Sequence, residues 1–179
     1  MNKRVKPTPD QSRAVELDGT LEFMRLLWQV AHGLESTSKR MSRTLAVTGP
    51  QRLVIRILGQ YEELSAGQLA RTMCVHPSTL TGVLRRLEDR SLIERRRDPE
   101  DGRRALFGLT SRGRQVDAVK TGTVEVVVRR VLSHASERQI DGARALLRLL
   151  GEELNPVEPQ APAKSPRRTS GRRRRSARR

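Results

Sequence analysis

Apolar residues in the first third of the chain recur every three or four positions, which is the period of an α-helix. The stripe consists of Leu17, Leu21, Met24, Trp28 and Ala31. This pattern predicts a long first helix that ends near Ser38. A second helix is predicted over residues 50–61, with Pro50 in its first turn. Residues 1–14 precede the stripe, carry mostly basic charge and two prolines, and are interpreted as a flexible arm.

Two short helices are predicted within residues 65–90. Ser65 and Gln68 have the spacing of a capping box, which indicates a helix that begins at Ala66. A breaker, MCVHP, separates it from a second helix over residues 77–90. Two helices joined by about four residues form a helix-turn-helix.

The second of these helices has two different sides. Its apolar side contains Leu80, Val83, Leu84 and Leu87. Its polar side contains Ser78, Gly82 and Arg85, with Thr79, Thr81 and Arg86 at the edges. Hydroxyl groups, bare backbone and guanidinium groups suit base edges and phosphates. The alternative interpretation is the solvated face of an ordinary surface helix.

A β-hairpin is predicted over residues 91–110, where SLIERRR and RRALFGLT are separated by the turn DPEDG. A hairpin alone is marginally stable, so we expect it to pack on the helices. The residues expected to make this packing are Leu92, Ile93, Leu106 and Leu109. Arg103 at the turn is placed to enter a minor groove. A stabilising flap with incidental arginines is the alternative.

The last two helices of the domain are predicted over residues 111–134 and over the apolar stripe that follows Ser136. The first is predicted as one continuous helix, although its TVEVVV run also has strand propensity. Ser136 and Gln139 repeat the capping-box spacing, and apolar residues from Ile140 to Leu154 then form a seam. Long apolar stripes at both ends of a small unit indicate a dimer, with an intramolecular core as the alternative.

The net charge of +16 makes nucleic acid the first partner to consider. Nine lysines and arginines against one glutamate place half of that charge in residues 155–179, a segment expected to be disordered. Its arginines are expected to contact DNA nonspecifically, a solubilising tail being the alternative. These are Arg167, Arg168, Arg172, Arg173, Arg174 and Arg175.

Several functional classes find no support in the chain. A signal peptide and a membrane-spanning run are lacking, so a cytoplasmic protein with no membrane partner is expected. Cys74 is the single cysteine and is interpreted as a small buried thiol, with a redox switch as the alternative. Nucleophile, phosphate-loop and metal-ligand motifs are missing, so no enzyme, metal or cofactor is expected.

The residues from Ser65 to Arg114, with the wing pattern at Asp98, Pro99, Asp101 and Arg103, resemble the MarR family of bacterial transcription regulators. The resemblance extends over residues 17–154. It implies a mainly α-helical fold with a small β-hairpin: a winged helix-turn-helix domain, residues 15–154, with N- and C-terminal dimerisation helices. It also implies a homodimer on double-stranded DNA, with Asp101 positioning the wing.

The predicted function is that of a sequence-specific dimeric regulator, a repressor released from its operator by a small anionic or phenolic ligand whose binding residues are unknown. The alternative is a constitutive or architectural basic protein dominated by its tail. The predicted DNA-contacting residues are Ser65, Ser78, Thr79, Thr81, Gly82, Arg85, Arg86, Arg103 and Arg104.

Overall fold

A computed structural model describes residues 16–155 as seven helices and three short strands. Their order is α1 (Gly19–Thr44), α2 (Gly49–Tyr61), β1 (Glu63–Ser65), α3 (Ala66–Met73), α4 (Pro77–Glu88), β2 (Ile93–Arg97), β3 (Ala105–Leu109), α5 (Ser111–Ala118), α6 (Val124–Leu132) and α7 (Glu137–Leu154). The described chain divides into two compact units, the first ending at Ser133 and the second beginning at His134. The predicted arm and basic tail lie outside the described residues.

The core of the first unit lies where α2, α3, α4 and the sheet meet. It is built from aliphatic side chains at helical spacing together with one aromatic side chain of β3. The buried set is Val47, Val54, Ile55, Leu58, Leu69, Ala70, Leu80, Leu84, Leu87, Leu92, Ile93, Phe107 and Leu109. The arrangement of a helix-turn-helix followed by a hairpin is the predicted winged helix, and the mainly α-helical fold class is confirmed.

The sheet has three antiparallel strands in the order β1, β3, β2, one strand more than the sequence predicted. In the register, Leu64 lies opposite Phe107 and Ile93 lies opposite Leu109. Strand β1 is only three residues long and lacks a period that could reveal it. The prediction that Leu106 packs on the helices was wrong, because alternation places Phe107 in the core and leaves Leu106 half-buried.

The first helix continues past Ser38 to Thr44. No glycine or proline interrupts the chain between Ser38 and Gly49. Ser38 instead lies inside the helix, and its hydroxyl accepts a hydrogen bond from the Gly49 backbone N–H at 2.8 Å. The C-terminal part of α1 therefore caps the start of α2.

The prediction of one helix over residues 111–134 was wrong, because α5 and α6 are separate. Gly122, in the connecting segment, has a φ of 69°, which helical backbone does not allow. The TVEVVV run nevertheless lies in α6 and not in a strand, so helical period prevailed there over strand propensity.

Large apolar side chains are exposed on both units. In the first unit they include Met24, Val30 and Trp28, whose exposed fraction is 69%. In the second unit, Leu147, Leu149 and Leu154 are exposed along α7. Within residues 16–155, none of the helices has the length and apolar character needed to span a bilayer.

Candidate nucleic-acid interface

Helix α4 separates its two sides as the sequence predicted. Leu80, Leu84 and Leu87 are buried against the core. The six α4 residues predicted to contact DNA are all exposed: Ser78, Thr79, Thr81, Gly82, Arg85 and Arg86. A β-carbon built on Gly82 would have no atom within 4 Å, so the backbone is open to approach at this point. The helix thus presents short polar groups and cations to the surroundings.

The start of α4 is capped by His76, which was not among the predicted site residues. The Nδ1 atom of His76 accepts a hydrogen bond from the Ser78 backbone N–H at 3.3 Å and lies 2.7 Å from the Ser78 hydroxyl. Pro77 follows in the first helical position. Histidine is not among the usual N-cap residues, which is why the MCVHP segment was interpreted only as a breaker.

A groove of about 660 Å³ lies between α4 and the sheet. It brings together four guanidinium groups, from Arg71, Arg85, Arg95 and Arg104, with the carboxylate of Glu88. Two of these arginines, Arg85 and Arg104, were predicted as DNA contacts, whereas Arg71 and Arg95 were not. The positive groups of this groove are arranged beside the exposed side of α4, where they would face a polyanion.

The wing turn is held by backbone and side-chain hydrogen bonds. The Asp98 carboxylate accepts from the Glu100 N–H at 2.9 Å, and the Asp101 carboxylate accepts from the Arg103 N–H at 3.0 Å. Asp101 therefore shapes the backbone at the tip. The wing-positioning role that the family resemblance implies for Asp101 stays a prediction. The side chain of Arg103 is exposed at this tip.

The three arginines of β2 have different surroundings. Arg96 forms ion pairs with Glu63 and Glu94, at 3.2 and 2.5 Å. Arg97 donates from Nε to the Gly102 carbonyl at 3.0 Å and so braces the turn. Arg95 lines the groove instead. Alternation along a strand separates Arg95 from Arg96, and this signal could have identified Arg95 in the sequence.

Ser65, also predicted as a DNA contact, lines the same groove as these arginines. It is 7% exposed, and its hydroxyl accepts from the Gln68 N–H at 3.3 Å as the predicted capping box requires. Arg104 also donates to this hydroxyl, from Nη2 at 3.3 Å. Ser65 therefore anchors Arg104 at the base of the wing, and Arg104 is the member of the pair that reaches the surface.

Cys74 is exposed, so the interpretation of a small buried thiol was wrong. It ends α3 with a φ of 52°, and this left-handed turn directs the chain toward α4. Within residues 16–155, no three His, Cys, Asp or Glu side chains lie close enough to hold a metal ion. The six tail arginines predicted to contact DNA lie outside the described residues.

Comparison with known proteins identifies the relatives of this chain. A sequence profile of the MarR family matches residues 47–105, which include α2, the helix-turn-helix and most of the wing. An HTH-type transcriptional repressor of Mycobacterium tuberculosis is 30% identical over 128 residues, 72% of this chain and 92% of that protein. An organic hydroperoxide resistance transcriptional regulator of Bacillus subtilis is 30% identical over 104 residues, 54% of this chain and 71% of that protein.

Solved structures have the same fold. A probable transcriptional regulator from Pseudomonas aeruginosa superposes with a TM-score of 0.58 at 28% identity, covering 75% of this chain and 99% of that chain. A MepR-like protein complexed with pseudoligands has a TM-score of 0.63 at 24% identity, covering 77% and 97% of the two chains.

Proposed function

The chain belongs to the MarR family, and we propose that it is a sequence-specific regulator of transcription that binds double-stranded DNA as a homodimer. The relatives at 30% identity carry the names of a transcriptional repressor and a transcriptional regulator. The observation that supports the proposal most strongly is the exposed polar side of α4 beside an arginine-lined groove.

Helix α4 has the features of a recognition helix in a major groove. Its N-terminal half presents Ser78, Thr79 and Gly82, which are small enough to let base edges approach closely. Arg85 can reach a guanine edge or a phosphate from the same side. Glu88 and Asp89 at the other end would repel phosphate, so the N-terminal half is the part that enters the groove.

The wing and the groove supply the remaining contacts. Arg103, exposed at the braced wing tip, is placed to enter the neighbouring minor groove. Arg71, Arg95 and Arg104 in the groove contact phosphates, which fixes the register of the helix on the duplex. The tail arginines add affinity without reading sequence, because each neutralised phosphate releases counterions.

A second copy of the chain covers the exposed apolar faces. An exposed tryptophan and several exposed leucines on one chain are typical of an interface and not of a monomer's surface. A twofold dimer would present two α4 helices to successive major grooves, about one helical turn apart. Repression, and release by a small anionic or phenolic ligand, complete the proposed mechanism and rest on the family resemblance.

The test is selection of genome fragments by the purified full-length protein at near-physiological salt. A matched variant carries glutamine at the six tail arginines, Arg167, Arg168 and residues 172–175. Recovery of the same inverted repeat by both proteins, with half-sites about one helical turn apart, supports the proposal. Recovery of unrelated fragments, lost in the variant, would replace it with an architectural protein dominated by the tail.

A further inference from the structure

The backbone N–H and the hydroxyl of Ser78 both lie within hydrogen-bond distance of one nitrogen of His76. The Ser78 backbone N–H donates to Nδ1 at 3.3 Å, and the Ser78 Oγ atom lies 2.7 Å from the same nitrogen. A backbone N–H can only donate, so Nδ1 must be the ring nitrogen that carries no proton. In a neutral imidazole the proton then resides on Nε2.

This tautomer determines the direction of the contact with the hydroxyl. An unprotonated Nδ1 can only accept, so the Ser78 hydroxyl must be the donor across the 2.7 Å separation. A serine hydroxyl has one proton and two lone pairs. Its proton is directed toward His76, and what remains for a partner of α4 is acceptor capacity alone.

We infer that Ser78 recognises an exocyclic amino group in the major groove, that of adenine or cytosine, and that His76 is the positioning residue that sets this preference. The inference rests on the proposed function, in which α4 enters the major groove. There, adenine N6 and cytosine N4 are the donors, whereas guanine and thymine present acceptors at the matching positions. A hydroxyl restricted to accepting is favourable only opposite the first pair.

Because its hydroxyl can only accept, Ser78 is also not expected to contact phosphates. Phosphate oxygens are acceptors and need a donor from the protein. Thr79 is the next residue on the helix, and its hydroxyl makes no hydrogen bond within the described part of the chain. The proton of the Thr79 hydroxyl is therefore free to be donated to a phosphate. Thr79 is therefore the matched control for Ser78.

The experiment uses the full-length chain and a duplex selected by it. Each half-site position is occupied in turn by all four bases, and at the preferred position adenine is replaced by 2′-deoxynebularine, or cytosine by 2-pyrimidinone, which lack the amino group. At one position we expect the wild type to prefer the amino base by about 3- to 10-fold, the worth of one hydrogen bond. Ser78→Ala should remove this preference, whereas Thr79→Ala should weaken binding equally for every base.

The His76 variants separate positioning from capping. His76→Ala frees the Ser78 proton and should reduce the preference at least threefold. His76→Asn supplies an acceptor oxygen and a good N-cap, and should retain both the preference and the thermal stability. If the role of His76 is purely structural, His76→Ala should lower stability and affinity but leave the ratio of affinities for the different bases unchanged.

Three results would overturn the inference while the proposed function stands: a Ser78-dependent position that prefers guanine or thymine, no position that responds to Ser78→Ala, or a preference that His76→Ala leaves unchanged. Absence of any sequence preference in the wild-type protein would overturn the inference together with the proposed function.

Discussion

The guanidinium of Arg52 binds the carboxylate of Glu125, 73 residues away in sequence, with Nε at 2.8 Å and Nη2 at 2.5 Å from Oε1. The Arg52 side chain is 3% exposed. Its other protons go to backbone carbonyls at the end of α5, including that of Val119 at 2.8 Å and that of Val116. One buried side chain thus joins α2 to the end of α5 and to the start of α6.

Replacing Arg52 should therefore destabilise the protein strongly. Arg52→Met leaves the Glu125 carboxylate and the α5 carbonyls without their donor, and we expect a loss of about 3–5 kcal/mol in the free energy of unfolding. Arg56→Met is the control one turn away, because the Arg56 side chain, which pairs with Asp117 at 2.7 Å, is 40% exposed. We expect at most about 1 kcal/mol there. Urea unfolding measures both; equal losses would contradict the assignment.

The Arg52 contact also predicts a pH dependence. Burial raises the pKa of Glu125, but the hydrogen bond from Arg52 and its positive charge, with a backbone hydrogen bond, outweigh burial and lower the pKa overall. The stabilisation is present above the ordinary carboxyl pKa of about 4.3 and is lost as the pH falls through the lower value of the folded state. The free energy of unfolding of Glu125→Gln should differ most from that of the wild type near neutral pH. A difference that stays constant on acidification, measured by urea unfolding, would refute this.

Gly113 is a second position at which substitution should strongly destabilise the protein. A β-carbon on this residue would lie 2.0 Å from the Leu92 carbonyl oxygen, which is backbone and has no room to move. The Thr110 N–H, at the N-cap of α5, also donates to that carbonyl at 3.2 Å, so the start of α5 lies against the loop after α4. Gly113→Ala should cost about 3 kcal/mol or more by thermal unfolding, as overpacking does in the extreme. Gly142→Ala in α7, with nothing within 4 Å, should not destabilise.

Replacing Gly82 by alanine should have opposite effects on stability and on DNA binding. Its β-carbon position is open, so Gly82→Ala should raise stability by up to about 1 kcal/mol, the usual difference between these residues within a helix. If the backbone of α4 approaches base edges at this point, the same change should weaken binding to the selected duplex. Calorimetry and a binding titration on one sample test the pair of effects. Undiminished affinity would place the duplex away from Gly82.

Arg85 and Arg103 should affect different parts of the operator. Arg103→Ala removes the side chain at the wing tip and should weaken binding most where the flanks are A·T-rich. Arg85→Ala should relax the preference within the half-site by about 1–3 kcal/mol at one base pair. Titrations against a panel of flank and half-site variants distinguish the two. Uniform losses from both substitutions across the panel would mean that neither residue reads sequence.

Local signals were sufficient for most of the helices. The capping boxes at Ser65 and Ser136 and the proline at position 77 marked helix starts that the structure has at the same positions. The division of α4 into a buried and an exposed side also follows from sequence, because helical period alone assigns each residue to a side. The DNA-contacting roles of those exposed residues remain predictions.

The sequence by itself determined the helical periods, the caps, the turn chemistry of the wing and the excess of positive charge, since each depends on residues within a few positions of one another. Tertiary structure alone decided that β1 joins the sheet, that Ser65 anchors Arg104, and that Arg52 binds Glu125. These contacts join residues 39 to 73 positions apart. No local propensity encodes such a pairing, because its free energy exists only after the core has brought the partners together.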